Sequence, residues 1–304
     1  MSFEECFEWL QSRRCSDKAG LYGPMSAMWL IMRENMVTLS GLSAVLLQLT
    51  HPAIASAGAH GSRMQGDLTG RVRRTFASMY EIIFGDWETA AAAILRIRRI
   101  HERVRNDSPQ HTYRATDPSL LFWVLATLID SSIRIYELVA RPLSQRDRED
   151  YYADMKLFGA AMGIPPDFMP QSWDDFQRYF EAMINGSELV VSSAGRKIAG
   201  FLMGSRIARV TWSAAVVTGM LPARWREAYE LPWGPKEQRR YAIAIRVLRI
   251  ARSLGPAWLF FCPAYHQALQ GLIAAPRESR ALPTRMFIRF SILLRLPWAL
   301  CPER

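Results

Sequence analysis

The chain has 304 residues, of which 50% are hydrophobic and 22% are charged, an ordinary balance for a globular protein with a sizeable core. Its formal net charge is +10, but the basic residues are spread through helical patterns and no nucleic-acid-binding signature accompanies them. The four cysteines stand apart and offer neither a zinc motif nor a disulfide framework. These features argue against a nucleic-acid-binding or disulfide-rich protein and leave anionic ligands or an anionic membrane surface to explain the charge.

The first part of the chain predicts a short amphipathic helix over residues 3–14 and then a stretch rich in glycine and proline. The N-terminal residues are acidic and lack the apolar core of a signal peptide, so we expect a cytoplasmic protein. Residues 35–62 carry no formal charge, which makes a membrane span one alternative. The step from His51 to Pro52 favours instead a buried pair of helices that breaks at this point.

The helix that begins at Pro52 carries almost only small residues as far as His60. Small side chains such as Ala57 allow either a neighbouring helix or a flat ring to approach the backbone closely. A second helix is predicted from Gly70 to Phe84, with Thr69 as its cap, and it contains the arginine cluster RVRRT. An apolar, small-residue surface is thus followed at once by guanidinium groups.

The next helix is predicted to be capped by Asp86 and to run to about Arg105. On it, Ile94 and Val104 share a face with His101 at helical spacings, which predicts that the imidazole points inward. An inward-pointing histidine on an apolar face needs a partner. That partner is either a hydrogen-bonding group within the core or a metal ion that the imidazole ligates.

A turn over residues 106–110 leads to a strongly apolar helix that begins at Pro118. Further helices are predicted to follow the caps Ser144 and Ser172, and prolines mark the breaks in the remainder. No alternation typical of a strand is present. The sequence therefore predicts an all-α protein, a multi-helix bundle forming a single domain over residues 1–304.

The sequence lacks the motifs of the common hydrolases, nucleotide-binding proteins and di-iron carboxylate proteins. A non-haem iron or zinc site built on His51, His60 and His101 is an alternative, but no acidic residue near the first two supplies a convenient further ligand. A haem uses the same residues better. Its axial bond needs one imidazole, that of His101. The guanidinium groups of Arg71, Arg74 or the arginines from Arg96 to Arg103 can neutralise its propionates.

In the haem interpretation each remaining feature of this region also has a role. Ala57 and its small neighbours leave room for the macrocycle, and His51 or His60 supplies a polar group on or beside its distal face. The order of these features along the chain is more informative than any one of them.

That order resembles the oxygenase family that includes the MpaB oxygenase of mycophenolate biosynthesis and the latex-clearing rubber oxygenases. The segments that carry the resemblance are LLQLTHP, AGAH, GRVRRTF, H-x-x-V, WLIMRE, YRATDPSLLFWVLATLID and MGIPPDFMPQSWDDFQRY. They cover roughly residues 20–240. The resemblance implies an all-helical fold with a globin-like core that holds haem b, and an iron-dependent oxidoreductase that uses O2.

The resemblance places the proximal histidine at His101 and the R-x-x-K-T motif of the rubber oxygenases at Arg71, Arg74 and Thr75. Arg74 stands where the family has a distal lysine. Because a guanidinium stays protonated and ligates iron poorly, we expect an open or water-occupied distal position. The catalytic glutamate of the rubber enzymes has no match in this stretch, and Leu125 stands where many relatives carry a histidine.

The leading hypothesis is a haem b-dependent oxygenase or oxidase that acts on a small, largely apolar substrate. In it, His101 ligates the iron, while Arg71, Arg74, Thr75 and His51 serve the reaction. One alternative is a haem-binding sensor or carrier without turnover.

A second alternative rests on the end of the chain. The basic, apolar segment over residues 281–300 suits either the core or a membrane surface, so the protein is expected to be cytoplasmic with peripheral contact to anionic lipid as an alternative.

Overall fold

The computed structural model describes residues 1–60, 68–108, 111–204 and 213–274, and it is mostly helical, as the sequence predicts. Its helices, in chain order, are α1 (Phe3–Arg13), α2 (Ala27–Met32), α3 (Val37–Gln48), α4 (Pro52–His60), α5 (Leu68–Phe84), α6 (Trp87–Arg103), α7 (Pro118–Val139), α8 (Gln145–Ala161), α9 (Trp173–Asn185), α10 (Ser193–Gly204), α11 (Ser213–Met220), α12 (Ala223–Ala228), α13 (Pro235–Leu254) and α14 (Pro263–Ala274). A 3-10 helix, Ala257–Phe260, lies between α13 and α14. The globin-like arrangement around a haem stays a prediction, and the predicted C-terminal segment 281–300 lies outside the described residues.

Side-chain caps fix several helix starts where the sequence predicts them. Asp86 accepts a hydrogen bond from the Thr89 amide at 2.9 Å and so begins α6. Ser144 and Ser172 begin α8 and α9, each with a reciprocal capping box. The predicted cap at Thr69 is wrong, because α5 already begins at Leu68.

Between α6 and α7 lies one short feature that the sequence pattern does not indicate. There, β1 (Arg105–Ser108) and β2 (His111–Arg114) form a two-stranded antiparallel hairpin. Its residues are mostly polar and show no alternation of apolar and polar side chains, so only the backbone pairing identifies it. The pairing continues outward, since the Ala115 amide donates to the Val104 carbonyl at 3.0 Å.

The core is organised around α7, which packs along α3. The indole of Trp123 and the side chains of Ala126 and Ile129 are fully buried on this helix. α7 is the one described helix that is long and apolar enough to cross a membrane by itself, with a mean hydropathy of 1.3 and 67% of that window buried. The buried central helix of a protein core can have the same length and hydropathy, so these two properties do not identify a membrane span.

α3 and α4 would together be apolar enough to form a second span, but they meet at an angle of 107°. The bend falls at the step from His51 to Pro52, where the sequence predicts the break. The His51 ring is therefore held at a corner of the helical framework.

The segment Trp29–Glu34 connects distant parts of the chain. The Trp29 indole donates its Nε1 hydrogen to the Ile83 carbonyl at 2.7 Å and so holds the end of α5. The Arg33 guanidinium lies 4.4 Å from the centre of the Phe261 ring, and the Arg33 carbonyl accepts from the Cys262 amide at 2.7 Å. This short segment thereby fixes α5 and the start of α14 against the same surface.

Glu34 forms a buried ion pair with Arg252 of α13. Its carboxylate is 1% exposed and accepts from Nε of Arg252 at 2.9 Å and from Nη2 at 2.8 Å. This two-pronged geometry satisfies both carboxylate oxygens. Because Glu34 is out of water, its charge depends on this single partner.

We expect Arg252→Met to lower the free energy of unfolding by about 3 kcal/mol, because it leaves a buried carboxylate without its cation. The double variant Glu34→Met/Arg252→Met should be less destabilised than Arg252→Met, since it removes both charges. Urea unfolding followed by circular dichroism measures both values.

The matched control is Arg178→Met, which breaks an exposed pair with Asp175. It should change the free energy of unfolding by less than about 1 kcal/mol. If Arg252→Met costs no more than this control, the buried pair does not anchor α13.

Candidate functional site

His101 lies in the last turn of α6, where the apolar face of the helix passes from the core to the surface. Ile94 is 0% exposed, the His101 ring is half-buried, and Val104 is 40% exposed. The prediction that this face of α6 points inward is therefore correct at Ile94, and it is only partly correct at His101. The ring is held at the margin of the core rather than within it.

The imidazole of His101 has no hydrogen-bonding partner among the described residues. Burial lowers its pKa, and the neighbouring Arg98 guanidinium lowers it further. The ring is therefore neutral at neutral pH and has a nitrogen lone pair to offer, the form in which histidine ligates a metal. Helical spacing alone does not indicate this effect of Arg98, which lies on the same helix about one turn earlier.

The α5/α6 hairpin places His101 at the same end as the arginine cluster. Arg96 of α6 donates to Ser78 at 3.2 Å and pairs with Glu81, so the two helices pack side by side. His101 lies in the last turn of α6, and residues 73–75 lie in the first half of α5. Because the chain turns back between the two helices, both sets of residues lie toward the end of the hairpin that is away from the turn.

Arg74 and Thr75 are both exposed on α5, and they do not line a closed pocket of described residues. Arg99 and Arg103, on α6, are exposed at the same end of the hairpin. This end therefore has a positive potential, which suits an anionic group.

Two arginines of α6 that the sequence offered for the propionates are engaged elsewhere. Arg96 pairs with Glu81. Arg98 pairs with Glu102 at 2.7 Å, and its guanidinium lies 4.7 Å from the centre of the Phe3 ring. The sequence prediction is corrected for both residues, because carboxylates of the protein itself already satisfy them.

His51 occupies the corner between α3 and α4. Its Nδ1 is buried and has no hydrogen-bond partner among the residues that the structure describes. Burial lowers the pKa of His51, while the carboxylates of Glu188 and Asp117 act in the opposite direction. Those two acidic residues lie far away in the sequence, and only the fold shows that they act on this ring.

The two histidines border the same connection between α6 and α7. Val104, three residues after His101, accepts the backbone hydrogen bond of Ala115 at 3.0 Å. Asp117, two residues further on, is one of the carboxylates that act on His51. The fold therefore brings both imidazoles to the region around the β1–β2 hairpin.

The small residues of α4 pack tightly against α10. A Cβ atom added to Gly195 of α10 would lie 3.7 Å from the Cβ of Ala55 and 3.0 Å from the Leu49 carbonyl oxygen. Ala57, the residue proposed to leave room for the macrocycle, is half-buried on the same helix. Close helix packing thus accounts for part of the small-residue pattern. The side chains of His60 and Arg71 lie outside the described residues.

The described residues contain no group of three or more His, Cys, Asp or Glu side chains able to hold a metal ion. A non-haem iron or zinc centre needs such a set, whereas a porphyrin brings four of its own ligands and asks the protein for an axial one. The unpartnered, neutral imidazole of His101 and the orphaned Nδ1 of His51 fit that requirement. The donor set therefore fits a haem better than a metal held by side chains alone.

Two spaces lined by described residues lie elsewhere. One, of about 10 Å³, is enclosed by methionines of α2 and by Tyr151. The other, of about 500 Å³, is an open depression at the start of α13. Neither is lined by His51, His101 or Arg74, so neither is the predicted haem pocket.

Comparison with known proteins identifies one family. Residues 28–250 match the model of the catalytic domain of the ER-bound oxygenase mpaB/B′ and rubber oxygenase family. Two uncharacterised relatives, Mb2261 of Mycobacterium bovis and Rv2237 of Mycobacterium tuberculosis, are each 28% identical over 178 residues, covering 54% of this chain and 68% of theirs. No solved structure matches the chain.

The lowered pKa values of His51 and His101 predict a loss of stability in mild acid. Below the ordinary histidine value of 6.5 the unfolded chain takes up protons that the folded chain does not, so the free energy of unfolding falls as the pH drops from 6.5 toward the folded-state pKa values. In cofactor-free protein, the free energy of unfolding of the double variant His51→Gln/His101→Gln should fall less steeply over this pH range. Urea unfolding at a series of pH values measures this slope.

The control is Gln11→Ala, which replaces an exposed side chain that carries no titratable group. This variant should keep the slope of the unsubstituted protein. Equal slopes for the double variant and the unsubstituted protein would show that neither candidate imidazole is held neutral by burial.

Proposed function

Because the chain belongs to the MpaB and rubber oxygenase catalytic-domain family, we propose that it is a haem b-dependent oxygenase that acts with O2 on a small, largely apolar organic substrate. The family match over residues 28–250 supports the oxygenase class. The observation that supports the haem assignment is the imidazole of His101. Its pKa is lowered, its ring is half-buried, and it has no hydrogen-bonding partner within the described part of the chain.

The roles proposed for His101, Arg74 and Thr75 rest on their places in the fold, and the role proposed for Arg71 rests on the family resemblance alone. When bound, the haem supplies the oxidative chemistry with O2. His101 would hold the iron from the end of α6. Arg74, toward the same end of the helical hairpin, would serve the anionic propionates together with Arg71, and Thr75 would add a hydroxyl beside them.

His51 is proposed to act as the polar group of the site. Its burial keeps the ring neutral, so one nitrogen can donate a hydrogen bond and the other can accept one. A neutral ring orients a substrate or O2 without adding a positive charge beside the iron. This role is separate from ligation, and it predicts that loss of His51 affects turnover more than cofactor content.

The apolar character proposed for the substrate rests on the family and on the chain itself. Rubber, which the family description names, is an apolar polymer. This chain has no match to the glutamate used by the rubber enzymes in the resembling stretch, so the proposal is a small apolar molecule and not cleavage of rubber. Leu125, buried where many relatives carry a histidine, is consistent with a less polar interior.

The experiment compares the absorption spectra of the unsubstituted protein, His101→Ala, His51→Gln and His266→Ala after haem reconstitution. The unsubstituted protein, His51→Gln and His266→Ala should show a Soret band at equal haem content. His101→Ala should lose most of it, because the axial bond is lost. Loss of His51 should then lower O2 consumption with apolar substrates by about 10- to 100-fold.

Two outcomes contradict this proposal. If the unsubstituted protein shows no Soret band after reconstitution, haem is not its cofactor. If the band depends on His101 but no O2 is consumed across a panel of apolar substrates, the protein is a haem-binding sensor or carrier.

Arg74 gives a separate test of the distal side. Because arginine does not ligate iron, the reconstituted unsubstituted protein should have a distal position open to carbon monoxide. Arg74→Lys restores the lysine of the rubber oxygenases and should shift the spectrum toward a six-coordinate, low-spin form that binds carbon monoxide more slowly. Arg73→Lys, one residue earlier on α5, is the matched control and should leave the spectrum unchanged. Identical spectra for all three proteins would remove Arg74 from the distal side.

A further inference from the structure

The outward face of α13 carries a continuous apolar stripe. Ile243, Val247, Ile250 and Leu254 recur at intervals of four, three and four residues, and they therefore lie within about 60° of one another around the helix. Their side chains are 42%, 46%, 48% and 78% exposed. Large aliphatic side chains in an unbroken exposed row mark an interaction surface.

Basic side chains flank this stripe on both sides. Lys236, Arg239, Arg240 and Arg246 are exposed, and no carboxylate of the described residues pairs with any of them. An open depression of about 500 Å³ is lined by the first three of these residues together with Ile243. Unlike Arg96 or Arg252, these cations remain available to an external anion.

The opposite face of α13 is fixed to the protein. Ala244 and Ile245 are buried, Arg249 donates to the Leu138 carbonyl, and Arg252 holds Glu34. The helix therefore cannot rotate its apolar stripe inward without breaking a buried ion pair. The stripe is a permanent part of the surface.

The apolar surface continues beyond the end of α13. After the turn at Gly255, the 3-10 helix presents Trp258 at 53% and Leu259 at 55% exposure. An exposed tryptophan beside a basic and aliphatic helix is typical of segments that lie in a membrane interface.

The charges decide between the occupants that such a face can have. A second copy of the chain would place arginine against arginine across a two-fold interface. The C-terminal residues 281–300 are also basic, so they are a poor match for the same reason. Nucleic acid would satisfy the guanidinium groups but leave the central aliphatic row exposed. A bilayer with anionic headgroups satisfies both the cations and the aliphatic row.

We propose that the outward face of α13, with Trp258 and Leu259, docks the protein onto the surface of an anionic lipid bilayer. The aliphatic row enters the headgroup boundary, and the flanking cations bind lipid phosphates. This docking does not depend on the proposed oxygenase function, because it uses neither His101 nor any residue of the α5/α6 hairpin.

The test measures co-sedimentation of the full-length protein with vesicles of phosphatidylcholine, with and without about a third phosphatidylglycerol. We expect binding only to the anionic vesicles, weakened by salt. Arg239→Glu/Arg240→Glu/Arg246→Glu should lower the partition coefficient by about 100-fold, from about fivefold for each cation near the surface. Trp258→Ser/Leu259→Ser should lower it by about tenfold, and this loss should persist at high salt.

The matched control is Arg13→Glu/Lys18→Glu/Lys197→Glu, which makes the same change in net charge on other exposed surfaces. It should keep the partition coefficient within about twofold, and all variants should melt at the same temperature, since every substituted residue is exposed.

Three results would overturn the proposal. Equal losses in the α13 charge variant and the control would mean that only total charge matters. Unchanged binding of both the α13 charge variant and the Trp258→Ser/Leu259→Ser variant would assign the contact to another segment. A third result is that only the charge variant loses vesicle binding while the unsubstituted protein binds single-stranded RNA as tightly as it binds anionic vesicles. That result would identify the face as a nucleic-acid-binding surface.

Discussion

The buried ion pair between Glu34 and Arg252 is the constraint on which the rest of the architecture depends. It holds α13 to the end of α2, and the neighbouring Trp29 indole binds the last turn of α5 through the Ile83 carbonyl at 2.7 Å. One six-residue segment, Trp29–Glu34, thus positions both the hairpin that carries His101 and the helix with the basic outward face. A buried charge that depends on one partner makes this arrangement specific, because any other packing would leave the carboxylate unpaired.

Some arginines of this chain pair with carboxylates of the protein, and others do not. Arg96, Arg98 and Arg252 have such partners and serve structure. Those on the outward face of α13 have no carboxylate partner among the described residues, and they flank exposed aliphatic side chains. This face is therefore one part of the surface where the positive charge of the chain, +10 in total, is not balanced by neighbouring acidic side chains.

Much of the helical framework could be predicted from local signals, and the long-range contacts could not. Three helix starts can be predicted from their capping residues, which are Asp86, Ser144 and Ser172. A capping side chain and the amide that it binds lie within three residues of each other, so the signal is local. The step from His51 to Pro52 predicts a break between two helices, because proline restricts the backbone conformation of the residue before it. The β1–β2 hairpin escaped prediction, since its polar residues pair through backbone groups alone. The Glu34–Arg252 pair escaped it as well, because 218 positions separate its members.

The candidate site was predictable in its residue types but not in its geometry. Helical spacing placed His101 on the apolar face of α6, yet the half-exposed state of the ring follows from where that face leaves the core. The family resemblance marked Arg74, while its place toward the same end of the helical hairpin as His101 depends on the packing of α5 against α6. Spacing along one helix indicates a face, whereas the level at which two helices meet is fixed only by contacts between them.

A metal-ligating histidine usually donates its second N–H to a carboxylate or a carbonyl, which fixes both the tautomer and the orientation of the ring. His101 has no such partner among the described residues, so its neutrality comes from burial and from the Arg98 guanidinium. The packing of α6 then has to orient the ring by itself. A centre assembled from several side chains would demand that each be oriented in this way, and an unsupported ring would be a weak member of it. A macrocycle that supplies four ligands of its own needs only the position of one nitrogen, and the end of a well-packed helix is enough to provide that.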